Sequence, residues 1–399
     1  MIWWNGSSMD DRLMAVAHGI AERLQHGTLT IIAPDGEARS FEGPVEGPNA
    51  LLRLNSLRAI RRFAVGGSLG FAEAYLDGDW DSPDLPALLE LLVLNEATYQ
   101  EQFYGRGWFR WLARLHHRLR PNSKRGSRQN ILAHYDLGNA FYQHWLDPSM
   151  TYSSARFDMP NASLEAAQAA KYASLVEKLS VRADHHLLEI GCGWGGFAEF
   201  TAREVGARIT AVTISDQQYA FVAERIQKAG LNDKVDIRLL DYRDIDGRYD
   251  RIASIEMFEA VGERYWPVYF DKLASTLKPG GIAGLQIITI ADQYYDAYRR
   301  GADFIQRHIF PGGMLPSPGV LQRQLDHAGL KKLSETTFGL DYARTLAIWN
   351  KRFHEAWPDL LQLGFDQRFK RLWHYYLAYC EAGFKAGWTD VCQLALHRP

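Results

Sequence analysis

Residues 187–197 read LLEIGCGWGGF, an apolar segment with one acidic residue that runs into a glycine-rich turn. Glycines permit positive φ angles and let a ligand approach the backbone closely. In an open α/β sheet, ligands bind at the carboxyl ends of the strands. The stretch therefore predicts a strand, a ligand-binding turn and the start of a helix.

Strands and helices alternate around this turn. Such alternation predicts an α/β fold with a doubly wound, mostly parallel, Rossmann-like sheet. A helix is predicted at 216–229, and the chain from Ala343 onward is expected to be helical and aromatic. The predicted strands lie at 186–190, 208–213, 235–239, 250–255 and 281–287.

The residues beside the turn distinguish two ligand classes. A dinucleotide would place its phosphates on the helix N-terminus, where Glu189 would repel them. The same carboxylate suits the cationic end of a methionine-like ligand. The second strand runs into TISDQQ, residues 213–218, which offers neutral polar groups to a ribose and an amino acid. A third interpretation is a structural turn that binds nothing.

Composition limits the class of protein. The chain has 399 residues, enough for two domains, and its apolar fraction of 47% and charged fraction of 23% are typical of a globular protein. A net charge of -2 argues against a general nucleic-acid binder. The three cysteines form no C-x-x-C pair, so we expect no disulfide framework, no metal site and a cytoplasmic location. With no signal peptide at 1–12 and no apolar segment of spanning length, any membrane contact is expected to be peripheral.

Four further motifs follow in order along the chain. They read HYDLGN at 134–139, MTYSSA at 150–155, EMFEAVG at 256–262 and IFPGG at 309–313. Together with the glycine-rich turn, they resemble the cyclopropane-fatty-acyl-phospholipid synthase family, and the resemblance is collinear from about residue 130 to 388. The segment 67–80 resembles the smaller N-terminal domain of the bacterial members that act on phospholipid.

The resemblance implies an S-adenosylmethionine-dependent methyltransferase that alkylates the double bond of an unsaturated acyl chain in membrane phospholipid. It places Asp241 and Tyr242 near the adenine of the donor. For Tyr135 and Tyr152 the alternative role is packing in the core, and for Gln218 it is a solvated helix position. With Glu189 added from the turn itself, the implied donor site consists of Tyr135, Tyr152, Ser153, Glu189, Gly191, Gly193, Thr213, Ile214, Gln218, Asp241 and Tyr242.

An isolated alkene is a poor nucleophile, so the enzyme must hold it in line with the donor methyl. Such positioning removes roughly 7–11 kcal/mol of barrier. The cation then formed on the acyl chain must be kept from water and must lose a proton. Aromatic faces stabilise cations, although helix packing is the alternative role for the aromatic residues near the C-terminus. These are Trp349, Phe353, Trp373, Tyr375, Tyr376 and Tyr379.

In the family that the chain resembles, a bound bicarbonate is the base, held by a glutamate, a histidine and a tyrosine near a cysteine-bearing loop. The resemblance places the glutamate at Glu259 and the tyrosine at Tyr342, but Ser154 replaces the cysteine and Ile288 the histidine. Gln286 lies on the same strand face as Ile288 and is the expected substitute. The expected catalytic set is therefore Glu259, Tyr342, Ser154 and Gln286. Bicarbonate is in doubt, because an isoleucine side chain donates no hydrogen bond.

The expected product is a cyclopropane fatty acid. A methyl- or methylene-branched chain is the alternative, because the cation can lose a proton from a neighbouring carbon instead of the new methyl. A non-catalytic lipid-binding protein is the alternative of another class, and the intact donor motifs argue against it. The sequence leaves double-bond position, headgroup preference and oligomeric state open, and a homodimer is compatible with it.

We expect three parts: an N-terminal lipid-association domain of α+β type at 1–118, a basic linker at 119–129 and the methyltransferase domain at 130–399. Residues 101–130 include eight basic residues and one acidic residue, with tryptophan and phenylalanine among them. Such a segment favours peripheral binding to anionic phospholipid at the inner face of a membrane. Nucleic acid is not the expected partner, because no binding motif accompanies the arginines. A helix that packs between domains is the alternative.

Changing Arg106, Arg110 and Arg114 together to glutamate should weaken binding of the chain to anionic vesicles. These arginines recur every four residues and would line one stripe of a helix, and a basic residue near such a surface contributes about 1 kcal/mol to binding. Vesicle sedimentation measures the change, and added salt should weaken binding of the wild type. Unchanged sedimentation of the triple variant would favour the domain-packing helix.

Overall fold

The computed structural model describes residues 9–96 and 137–399. The expected linker at 119–129, the basic segment at 101–130 and Tyr135 of the expected donor site lie outside the described residues. Two sheets are described, one on each side of the stretch 97–136.

The N-terminal sheet has four strands in the order β2-β1-β3-β4 and mixes parallel with antiparallel pairs. Helix α3 begins after Asp84, whose side chain accepts a hydrogen bond from the backbone N–H of Ala87. Helix α2 bends at Gly67, where φ is 58°. This unit is α+β, as predicted. Its elements are α1 (Met9–Ala21), β1 (His26–Ile32), β2 (Ala38–Glu42), β3 (Val45–Leu54), α2 (Arg58–Leu76), β4 (Trp80–Asp81) and α3 (Leu85–Leu94).

The second sheet has seven strands in the order β10-β11-β9-β8-β5-β6-β7. The five strands from β5 to β9 run parallel, which confirms the predicted doubly wound α/β fold. The first three predicted strands match the observed bounds, and β9 extends beyond its predicted ends. The strands are β5 (His186–Ile190), β6 (Arg208–Thr213), β7 (Val235–Leu239), β8 (Tyr249–Ile255), β9 (Leu277–Ile290), β10 (Lys331–Thr337) and β11 (Thr389–His397).

The prediction of a wholly helical C-terminal part is wrong for its last segment. After three helices the chain ends in β11, which pairs antiparallel with β9 over nine residue pairs from Thr389 to His397. The central residues of β11 are buried without a polar alternation, as in strands covered on both faces. Such a short apolar run cannot be distinguished from a helix by its period alone.

Helices cover the seven-stranded sheet on both faces. Several begin at a serine whose hydroxyl accepts a hydrogen bond from a backbone N–H of the first turn, as Ser163, Ser215 and Ser317 do. The helices are α4 (Gly138–Gln143), α5 (Leu164–Lys178), α6 (Gly196–Glu204), α7 (Asp216–Lys228), α8 (Trp266–Thr276), α9 (Asp292–Arg299), α10 (Phe304–His308), α11 (Pro318–Ala328), α12 (Gly339–Glu355), α13 (Trp357–Gln362) and α14 (Gln367–Lys385).

Helix α14 joins the N-terminal unit to the rest of the protein. Arg371 donates hydrogen bonds to the backbone oxygens of Tyr75 at 2.6 Å and Trp80 at 2.9 Å. Its guanidinium also lies 3.9 Å from the ring centre of Tyr75. The two parts therefore share one packed aromatic core. None of the helices in the two described ranges combines the length and apolarity needed to cross a bilayer.

Candidate active site

The glycine-rich turn follows β5 and needs its glycines for two different reasons. Gly191, Gly193 and Gly195 have φ angles of 82°, 52° and 80°, which L side chains adopt rarely. A Cβ on Gly195 would also lie 2.8 Å from the side chain of Val222, so the helix could not pack there. A Cβ on Gly193 would meet no atom of the described residues within 4 Å, because Gly193 faces a cavity. The sequence prediction of a ligand-binding turn is consistent with this geometry.

Glu189 lies at the base of this cavity and is only 3% exposed. One of its carboxylate oxygens has no hydrogen-bond partner among the described residues. Burial raises the pKa of this carboxyl well above its ordinary value, and the nearby Lys171 opposes the shift. A buried carboxylate without a partner is costly, so the site favours a cationic ligand group. This fits the charged amino-acid end of S-adenosylmethionine.

The segments after β6 and β7 bring further residues of the expected donor site to the cavity. We call the part of the cavity lined by the glycine-rich turn and these residues the donor half. Thr213 donates a hydrogen bond of 2.8 Å to the side-chain oxygen of Gln218. Gln218 is 6% exposed and lines the cavity, so its alternative role as a solvated helix residue is wrong. Asp241 and Tyr242 also line the cavity after β7, and Asp241 is held by Arg243 at 2.7 Å. Ile214 lines the same wall.

The segment before α5 supplies two further predicted residues. The hydroxyls of Tyr152 and Tyr376 are hydrogen-bonded at 2.7 Å, and both rings line the cavity. Ser153 also lines the cavity and accepts a hydrogen bond of 2.6 Å from the ammonium of Lys171. Lys171 is fully buried, and burial lowers its pKa to about 7. No sequence pattern identified Lys171, because it reads as an ordinary charged position in a helix.

The cavity continues from the donor half into an apolar region. The whole cavity has a volume of about 350 Å³. Of the aromatic residues considered as walls, Tyr376 and Tyr379 line it, whereas Trp349, Phe353 and Trp373 pack in the core. Val93 of α3 extends this lining into the N-terminal unit. The apolar region is lined by Val93, Ile288, Ile305, Phe310, Leu346, Tyr376, Tyr379 and Phe384.

Glu259 lines the cavity, and one of its oxygens accepts a 2.6 Å hydrogen bond from the backbone N–H of Ile288. Ile288 thus binds the Glu259 carboxylate through its backbone N–H. The sequence analysis considered only the side chain at position 288 and did not predict this contact. The other oxygen has no partner among the described residues. Burial and the neighbouring Glu256 raise the pKa of Glu259 to about 8.

Three of the predicted catalytic residues converge on a carboxylate that the sequence interpretation missed. Glu256 accepts hydrogen bonds from the hydroxyl of Tyr342 at 2.6 Å, from the amide of Gln286 at 2.7 Å and from the backbone N–H of Ser154 at 2.9 Å. Glu256 and Tyr342 line the cavity. The signal was present in the EMFEAVG motif, where Glu256 stands three residues before Glu259.

The side chains of Ser154 and Gln286 are placed differently from the expectation. The hydroxyl of Ser154 donates to the backbone oxygen of Ala155 at 2.9 Å, so only its backbone serves Glu256. Gln286 is fully buried and also accepts a hydrogen bond of 3.0 Å from Gln393 of β11. Both residues lie behind Glu256 and outside the cavity lining.

Comparison with known proteins agrees with this geometry. Residues 122–394 match the family model for mycolic acid cyclopropane synthetase. The chain belongs to this family. Its residues are 38% identical, over 97% of this chain and 92% of the relative, to the tuberculostearic acid methyltransferase UfaA1 of Mycobacterium tuberculosis. They are 35% identical, over 87% of both chains, to the cyclopropane-fatty-acyl-phospholipid synthase of Escherichia coli.

A solved structure of the mycolic acid cyclopropane synthase CmaA1 with SAH and CTAB is 27% identical in sequence. It superposes with a TM-score of 0.65 over 68% of this chain and 98% of that chain. This member of the mycolic acid cyclopropane synthetase family is therefore an S-adenosylmethionine-dependent methyltransferase. The family, the fold, the enzyme class and the methyl donor predicted from the sequence are confirmed.

Gly193→Val should abolish S-adenosylmethionine binding measured by calorimetry, because its side chain would enter the space that the cavity leaves open. Gly230→Val is the matched control. Gly230 also has a positive φ of 68° and open space around a Cβ, but it lies outside the cavity lining. Wild-type affinity in Gly193→Val would remove the turn from the donor site.

Glu259→Gln should make stability less dependent on pH. A buried carboxyl with a pKa of about 8 keeps its proton while the unfolded chain, with an ordinary value of 4.5, has lost it. Between these pH values the folded state binds more protons than the unfolded state. Because of this group, the free energy of unfolding of the wild type falls by about 1.4 kcal/mol per pH unit as the pH rises. Denaturation at pH 5.5 and 7.5 measures the difference. The exposed control Glu224→Gln should retain the wild-type slope, and an equal slope in Glu259→Gln would show that Glu259 is ionised.

Proposed function

We propose that this enzyme transfers the methyl carbon of S-adenosylmethionine to the double bond of an unsaturated acyl chain in phospholipid, and that the product is branched. The observation that carries the proposal is the continuity of the donor half with an apolar region in one cavity. In the sheet, β8 lies between β5 and β9. Glu256, which directly follows β8, thus lies between the glycine-rich turn and Ile288.

The chemistry of the relatives supports a lipid acceptor. The E. coli relative is named for fatty-acyl phospholipid, and it matches this chain over 87% of its own length. The apolar region of the cavity suits an acyl chain, because it excludes water from the cation formed there. Tyr376 and Tyr379 also line this region, and aromatic rings can stabilise a nearby cation.

Two steps decide the product. The electron pair of the alkene forms a bond to the methyl carbon, the carbon–sulfur bond breaks, and one acyl carbon becomes cationic. Loss of a proton from the new methyl with ring closure gives a cyclopropane. A hydride shift from the methylated carbon before that proton loss gives a methylene branch, and proton loss from the methylated carbon gives a methyl branch on an alkene.

The branched product is favoured by the cavity wall at Ile288. Where the resembled family has a histidine, this chain has an isoleucine, whose side chain offers the cation no polar group. A cation in such surroundings persists longer, which gives a hydride time to shift. The relative that spans 97% of this chain is also named as a methyltransferase rather than a cyclopropane synthase.

We further infer that the N-terminal unit takes part in lipid binding at a membrane surface on the cytoplasmic side. Val93 of α3 lines the same cavity as Glu256, so an acyl chain in the apolar region would contact this unit. An ion pair of 3.9 Å between Lys385 of α14 and Glu90 joins α3 to the helical layer. The acyl chain would then leave a bilayer close to the N-terminal unit.

Mass spectrometry of unsaturated phospholipid vesicles, incubated with the protein and donor labelled in the methyl group with deuterium, tests the function. We expect a mass gain of one methylene unit and an alkene that ozone still cleaves. Two retained deuterium atoms indicate a methylene branch, and three indicate a methyl branch. A gain that resists ozone would show a cyclopropane and refute the branched product. No gain over the Gly193→Val control would refute the function.

A further inference from the structure

We propose that Glu256 is the base of this reaction, so that its carboxylate accepts the proton lost from the alkylated acyl chain and no bicarbonate is required. The inference rests on the proposed transfer to an alkene. It holds for a cyclopropane as well as a branched product, because each requires one proton to leave. The family resemblance would place a bicarbonate near Glu259 and Tyr342, although the missing histidine puts it in doubt, and the structure has the carboxylate of Glu256 bonded to Tyr342.

The hydrogen-bond donors of this region are already bonded to Glu256. Its Oε2 accepts from the Tyr342 hydroxyl, and its Oε1 accepts from the Gln286 amide and the Ser154 backbone. Gln286 is itself fixed by Gln393, which donates to its side-chain oxygen at 3.0 Å. An external carboxylate would have to displace Glu256 from all three donors to occupy this position.

The backbone conformation of Glu256 is unusual for a residue other than glycine. Its φ of 48° lies in the left-handed region, where the backbone of a glutamate is strained. Non-glycine residues persist there when surrounding contacts hold them, and such positions cluster at active sites. The next residue, Met257, lies against the glycine-rich turn, because a Cβ on Gly191 would come within 2.5 Å of its side chain. The left-handed turn thus places the carboxylate beside the donor half of the cavity.

Glu256 and Glu259 differ in the hydrogen-bond donors and charges that surround them. Glu256 faces Tyr342 from α12, Gln286 from β9, Lys171 from α5 and Glu259 from its own segment. Burial raises the pKa of Glu256, but the three donors and the Lys171 ammonium oppose this shift. Among the described residues, Glu259 accepts hydrogen bonds from backbone groups only, and burial together with the charge of Glu256 raises its pKa to about 8. The donors and the positive charge around Glu256 therefore favour the charged form at Glu256 over Glu259.

Only the ionised carboxylate can accept a proton. After the carbon–sulfur bond breaks and S-adenosylhomocysteine forms, the cation is neutralised when a C–H bond of the acyl chain breaks. Its electron pair forms the new carbon–carbon bond of the alkene or ring, and its proton passes to an oxygen of Glu256. The resulting carboxylic acid returns its proton to solvent before the next turnover.

The test measures turnover on unsaturated phospholipid vesicles in buffer freed of bicarbonate, with bicarbonate or formate then added. Wild-type turnover should change less than about twofold on either addition. Glu256→Gln should lose about 10²-fold or more, and no anion should restore it, because the amide still fills the position. Glu256→Gly should lose as much but regain about tenfold with formate or bicarbonate. Glycine suits the positive φ, so this variant empties the position without strain.

Donor affinity, measured by calorimetry, should stay within a few fold in every variant and shows that each one is folded. Should Glu256→Gly fail to fold, Glu256→Asp decides the question, since it keeps a carboxylate and should exceed Glu256→Gln in turnover. Full activity in Glu256→Gln, equal loss in the aspartate and glutamine variants, or a bicarbonate requirement in the wild type would each overturn the proposal. A wild type that methylates no lipid would instead refute the proposed function.

Discussion

A carboxylate can be buried in an apolar interior only where hydrogen-bond donors and positive charge surround it, and Glu256 meets this condition with groups from several parts of the chain. Tyr342 comes from α12, Gln286 from β9, Ser154 from the segment before α5 and Lys171 from α5. Gln393 of β11 adds a second layer through Gln286. The helical layer, the centre of the sheet and the C-terminal strand are thereby fixed to one another at the reaction site.

The same constraint explains how the cavity suits its chemistry. In the described ranges, one carboxylate oxygen of Glu189 has no hydrogen-bond partner, and a cationic ligand group in the cavity would compensate it. Glu256 and Glu259 both line the cavity, and the donors and positive charge around Glu256 favour its charged form over that of Glu259. Beyond them the lining is mainly aliphatic and aromatic, so a cation on an acyl chain meets π faces and little water.

The sequence predicted those features that depend on local pattern. Glycine spacing and strand period identified the turn after β5, and Glu189, the acidic residue before that turn, lines the cavity. Features that depend on tertiary contacts were missed or misplaced. The strand β11 reads as an apolar run of either type, and Lys171 reads as a surface helix residue. Ser154 and Gln286 were expected around a bound anion, because nothing in the linear motif shows that the left-handed backbone at Glu256 turns a carboxylate towards them.

A crystal structure of the protein with S-adenosylhomocysteine, grown in bicarbonate and at neutral pH, tests the central claim most directly. The account predicts that the Glu256 carboxylate stays bonded to Tyr342 and Gln286, with no separate anion between Tyr342 and Glu259. A bicarbonate bound between those two residues, with Glu256 turned away from Tyr342, would contradict it.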